Sequence, residues 1–173
     1  MEVCREDILF WINTFIWQFN PKPPRKSPMK GPFITWDFQD KAIVGGTIKV
    51  GDQTRYQDGI LKCIDDQQDV RWPKSRDIGA SWIVLMTILH CCLFRRSFKA
   101  LVMSKDADAV DKIDDPDSLF WKLRFMLEHL PEWMVGDVRH KKAGISFVGS
   151  GNSITGEANT ESSGVGEIGR AHV

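Results

Sequence analysis

In the segment Arg71–Trp82, RWPKSRDIGASW, a glycine followed two residues later by a serine opens a long apolar run. Residues of these types at this spacing suit phosphate binding. A GxxxxGK[ST] loop at a helix N-terminus turns backbone amides toward phosphates, supplies a lysine to neutralise them and offers a hydroxyl to magnesium. Aligned on the last three positions, Gly79 and Ser81 fit, Ala80 stands where the lysine belongs, and Lys74 stands where the first glycine belongs. The cation has moved to the other end of the loop, from which a long side chain still reaches the phosphates. The competing reading of the same residues is an ordinary helix cap.

The elements that must hold such a loop are a strand before it and a helix after it. Val70 to Lys74 reads as a short strand, and the apolar run from about Gly79 to Phe98 reads as a buried helix. Lys99–Ser104, KALVMS, suits a buried strand. Asp115, with Pro116 after it, suits the cap of a helix whose face is Leu119, Phe120, Leu123, Met126, Leu127 and Leu130. GISFV and SIT flank a Gly149–Asn152 turn as two more strands. The alternation of strand and helix argues for an α/β sheet with helices on both faces. Upstream, residues 8–19 read as one packed helix. Five of the eight prolines fall between Pro21 and Pro32, which suits an extended linker. Trp36–Val44 suits a helix, and the glycine-interrupted stretch to Asp69 suits a hairpin. The organisation expected is an N-terminal helix (1–20), a Pro-rich linker (21–32) and a core domain beginning at Phe33.

Composition narrows the function classes. The 173 residues, 42% hydrophobic, suit one domain of ordinary size. Its 23 basic and 23 acidic residues balance, so no global field draws the chain to nucleic acid. The local basic cluster Lys22, Arg25, Lys26 and Lys30 is the better candidate for a DNA backbone, against a solvated linker. Four cysteines without a CxxC suit a reduced compartment, and MEVCRED lacks the basic leader of an export signal. Ile78–Phe94 is short for a membrane span and carries Ser81, Thr87 and His90, so a buried helix is expected instead. His90, Cys91 and Cys92 lack convergent metal-ligand spacing and are expected in the core. The aspartates from Asp106 to Asp117 lack the glycine and glutamate of a calcium loop and suit a solvated turn. Trp11, Trp17 and Trp121 sit in apolar helical patterns, where burial explains them better than base stacking.

Four segments in order, PFITWDFQ, KSRDIGASW, DDPDSLFWKLRFMLEHLPEWM and NSITGEANTESSGVG, resemble the large terminase subunit of tailed bacteriophages. The resemblance covers most of the chain. KSRDIGASW is similar to the deviant Walker A loop of one branch, in which lysine leads the loop and an arginine lies within it. The resemblance implies a nucleotide-binding set of Lys74, Ser75, Arg76, Asp77, Ile78, Gly79, Ala80, Ser81 and Trp82 for ATP, with Arg76 catalytic at the γ-phosphate, where charge spreads during transfer, and the Ser81 hydroxyl on Mg2+. PFITWDFQ is similar to the adenine-recognition segment, which implies that Gln39 reads the base through its amide. The fold implied is a P-loop NTPase of the ASCE type, a three-layer α/β sheet with helices on both faces, occupying 33–166 and incomplete at its C-terminus. The activity implied is ATP hydrolysis driving DNA translocation into a procapsid. The implied partners are double-stranded viral DNA, the portal protein, the small terminase subunit and other copies in a ring, in the host cytoplasm at the portal vertex and without a membrane. Gly45–Asp69 does not resemble the family.

The last six residues, IGRAHV, are what a common sequencing adapter encodes when translated, so residues 167–173 are expected to be adapter read-through and the natural protein longer. On that expectation the family's acidic strand, coupling segment and nuclease domain lie beyond the chain, and residues 1–166 do not hydrolyse ATP. Two other readings stay open: a non-hydrolysing P-loop scaffold, and a membrane-anchored interaction protein using Ile78–Phe94.

Overall fold

The computed structural model describes residues 1–21, 23, 28–72 and 78–159. Two helices open the chain, α1 (Glu2–Glu6) and α2 (Ile8–Phe15). Asp7 divides them: its extended backbone ends α1, and its carboxylate accepts the Phe10 N–H at 2.9 Å to cap α2. The helix expected over 8–19 stops at Phe15. Ile16 is extended, and Trp17–Phe19 form β1, which pairs antiparallel with β2 (Lys30–Pro32), Trp17 opposite Pro32. Aromatic residues favour a pleated surface, and an edge strand tolerates the proline. Both ends of the Pro-rich stretch are thereby tied together.

A helix and a hairpin follow: α3 (Asp37–Val44), β3 (Gly45–Val50) and β4 (Gln53–Asp58). Gly51, at φ 61°, makes the turn between the strands. After α4 (Ile60–Asp65) the chain from Asp66 to Arg71 is exposed. The strand expected over Val70–Lys74 is not formed at Val70–Trp72, its described part. An exposed strand there buries too little to offset the cost of ordering it.

The apolar run then forms α5 (Ala80–Phe94), almost entirely buried. It ends four residues before Phe98 because Asn152 competes for its last carbonyls, donating to Cys92 O at 2.8 Å and Arg95 O at 2.7 Å while accepting the Phe98 N–H at 2.7 Å. β5 (Lys99–Ser104), α6 (Ala107–Val110) and α7 (Leu119–His129) come next. The cap of α7 is Ser118, whose hydroxyl accepts the Trp121 N–H, and not Asp115, which closes the preceding turn by accepting the Asp117 N–H. The chain continues through α8 (Glu132–Val135), β6 (Val138–Lys141), β7 (Gly144–Phe147) and β8 (Asn152–Ala158).

These last strands and β5 make a mixed sheet of order β5-β8-β7-β6, parallel between β5 and β8 and antiparallel elsewhere. Ala100, Val102, Ile145, Phe147, Ile154 and Gly156 share one face by register. A Cβ at Gly156 would run into Phe120 of α7 and Val110 of α6, so glycine is what lets those helices close on the sheet. The carbonyls of α5 meet Asn152 on this same face. Helices on both faces were expected; among the described residues, the helices with extended contacts to the sheet approach it from one side. The chain is a mixed α/β fold whose main core lies between that face and α5 and α7.

The N-terminal segment belongs to that core. Trp11 and Ile12 of α2 are fully buried in one cluster with Leu85, Ile88 and Leu89 of α5 and Met126 of α7. The Trp11 indole N–H donates to the Met134 sulfur at 3.1 Å. The boundary drawn at Pro32 therefore does not divide the core.

Candidate functional site

The residues around Gly79 meet PFITWDFQ at a surface cavity of about 370 Å³. Its walls include Gln18 of β1, Ile34, Trp36 and Phe38, and, from the start of α5, Ile78 and Gly79. The apolar side chains stand open to solvent: Ile34 is 57% exposed, Trp36 70% and Phe38 46%. Three large apolar side chains exposed side by side at a cavity mouth are unusual on a folded chain and suit a flat ligand face.

Gln39 also lines the cavity, although it is only 5% exposed. Its Oε1 accepts the Trp36 N–H at 2.9 Å, half of a capping box at the start of α3. Its Nε2 donates to Ile78 O at 3.0 Å, across 39 residues of sequence. One carboxamide thus holds the two sides of the cavity together. A carboxamide has two donor hydrogens and two acceptor lone pairs, so one of each is spent here and one of each remains. Gln39 was expected to read a base; what the structure gives it is a structural role that sequence did not reveal.

Gly79 is the N-cap of α5 and has a left-handed backbone, φ 75° and ψ 18°, which favours glycine. The first helical hydrogen bond runs from Ile83 N to Gly79 O. The N–H groups of Ala80, Ser81 and Trp82 precede it and carry the positive end of the helix dipole. The Ala80 side chain is buried and the Ser81 side chain exposed. A lysine at position 80 would have to leave the core, so alanine suits the packing. Trp82 turns inward, packing edge-on to Phe125 with centroids 6.1 Å apart. Its side chain is a core element, and any contact with a nucleotide rests on its backbone. Lys74, Ser75, Arg76 and Asp77 lie outside the described residues.

The remaining candidates resolve into structure. His90 stacks among Trp11 and Phe94 with one ring nitrogen 2.8 Å from Cys4 O, and burial pushes its pKa down. Burial raises the Cys91 thiol to about 11 and the Cys92 thiol further. Among the described residues, no three His, Cys, Asp or Glu side chains converge as a metal cluster. Within the aspartate run, Asp106 caps α6, and Asp111 pairs with Arg124. Trp17, expected buried, is 40% exposed and stacks on His129 at 5.8 Å because β1 lies on the surface of α7. Among the described residues, no helix is long and apolar enough to cross a membrane.

Sequence reasoning missed Gln18. It falls within an apolar run whose helical spacing disguised it, and only its pairing in β1 opposite Gly31 brings it to the cavity. No protein-family model matches the chain, and no curated protein matches it.

Proposed function

We propose that the cavity and the start of α5 form the nucleotide site of a P-loop ATPase, and that the chain is part of a phage DNA-packaging motor, the large terminase subunit. The observation that carries this reading is the Gln39–Ile78 hydrogen bond. It joins two segments separated in sequence, the one resembling an adenine-recognition motif and the one resembling a phosphate loop, at the rim of one cavity.

In this reading the base lies against Trp36 and Phe38, and the phosphates lie over the N–H groups of Ala80, Ser81 and Trp82. Lys74 neutralises the phosphates from the far end of the loop, and Arg76 meets the γ-phosphate, where charge spreads during transfer. The exposed Ser81 hydroxyl would hold Mg2+, which would supply positive charge against the phosphates when bound. The substrate is ATP, and hydrolysis by the assembled motor moves double-stranded viral DNA. Its partners are the portal protein, the small terminase subunit and further copies in a ring at the procapsid portal vertex in the host cytoplasm.

Titration with a fluorescent ATP analogue in magnesium tests the reading. Saturable binding is expected, weakened at least tenfold in Lys74→Ala. Absence of saturable binding would sink it. Equal binding by wild type and Lys74→Ala would favour the decayed, non-hydrolysing scaffold.

A further inference from the structure

The cavity holds two carboxamides in different states. Gln39 is anchored by two backbone partners, its Oε1 facing Trp36 N and its Nε2 facing Ile78 O. Gln18 projects from β1, half-buried, and its side chain has no hydrogen-bond partner among the described residues. Its backbone is held by the β1–β2 ladder and by its neighbours: Trp17 stacks on His129, and Phe19 packs edge-on to Trp121 and Phe125. The backbone is fixed while the amide is free to turn.

We infer that Gln18 is the residue that reads the edge of the base, and that it reads adenine and guanine alike. This rests on the nucleotide reading of the cavity and adds its base specificity. The edge of adenine presents an amino donor beside a ring-nitrogen acceptor; that of guanine presents an oxygen acceptor beside a ring N–H donor. A carboxamide satisfies either edge by rotating half a turn about its last bond. Gln39 cannot make that rotation, because turning it would set its oxygen against the Ile78 carbonyl and its amino group against the Trp36 N–H. Selectivity between purines needs a site whose polar groups are left unpaired by the wrong base. An unanchored Gln18 leaves none unpaired with either. The exposed indole of Trp36 and ring of Phe38 add stacking that does not distinguish bases.

The test is equilibrium binding of fluorescent ATP and GTP analogues to the whole chain in magnesium, with thermal unfolding of each variant as a control for folding. Wild type is expected to bind the two within about threefold of each other. Gln18→Leu is expected to weaken both by about three- to tenfold, the worth of one net hydrogen bond. Gln18→Glu offers only acceptors at neutral pH, so it is expected to lose ATP and keep GTP, shifting the ratio toward GTP by about tenfold. Wild-type preference for ATP of a hundredfold, or Gln18 variants that fold and bind both nucleotides unchanged, would overturn the assignment while leaving the nucleotide site standing. Failure of wild type to bind either nucleotide would overturn both.

Discussion

Replacing the Gln39 carboxamide with a methyl group strands two backbone groups at once, the Trp36 N–H and the Ile78 carbonyl. Gln39→Ala is expected to destabilise the fold by about 1–3 kcal/mol in urea denaturation; a loss below about 0.5 kcal/mol would show that both groups find other partners. Gly79→Ala forces a side chain into a left-handed backbone, with its Cβ 3.4 Å from Gln39 Nε2. That is expected to cost about 1–2 kcal/mol in urea denaturation; an unchanged midpoint would show that the backbone there relaxes. The part of the site legible in sequence was local. Gly79 at the helix start and Ser81 exposed in its first turn are recognisable because their places depend on neighbours within one turn. The place of Gln18 at the cavity was illegible because it depends on pairing with a strand on the far side of the Pro-rich stretch.

Among the elements, the turn between β6 and β7 is held from a distance. Asp111, just after α6, makes a two-point ion pair with Arg124 of α7 at 2.7 and 2.6 Å and accepts the Ala143 N–H at 2.6 Å. Its side chain is 6% exposed. Burial alone would raise its pKa, but Arg124 and the Ala143 N–H outweigh that and hold it below the ordinary carboxylate value of 3.8. The folded state then binds its proton later than the unfolded state. The stability it confers is complete above about pH 4 and is lost as pH falls through the folded value. Asp111→Ala is expected to cost about 3 kcal/mol at neutral pH. Asp111→Asn, compared with wild type by urea denaturation between pH 5 and 3, should show a flatter acid limb; parallel curves would count against the clamp. His90 acts on α5 with the same sign in a higher window. Its folded pKa lies below 6.5, so the unfolded state takes the proton first and stability falls as pH drops from about 6.5. In His90→Leu the fall between pH 7 and 5 should be shallower.

At the scale of the whole molecule, the chain has one main core, and its N-terminal helix is part of it. Trp11 is fully buried between α5 and α8, in contact with His90, Phe94 and Met134. Trp11→Ala is expected to cost about 3–5 kcal/mol. Removing residues 1–20 should abolish cooperative unfolding altogether. A truncated chain that still melts in one sharp transition would restore the boundary at Pro32.

What the amino-acid sequence determined by itself was the placement of elements whose causes are local. The apolar run of α5, the face of α7, the KALVMS strand, a hairpin somewhere in the glycine-interrupted stretch to Asp69 and the strands flanking Gly149–Asn152 follow from periodicity and from glycine's backbone freedom. The tertiary structure decided where α5 ends, since Asn152 takes its carbonyls from 57 and 60 residues away. It also decided that the helices with extended contacts gather on one face of the sheet, where Gly156 admits Phe120, and that β1 is a strand. Each of these turns on a partner remote in sequence. A pattern read along the chain carries the demand of each residue for burial or for a hydrogen bond; which distant group meets that demand is settled only when the segments pack.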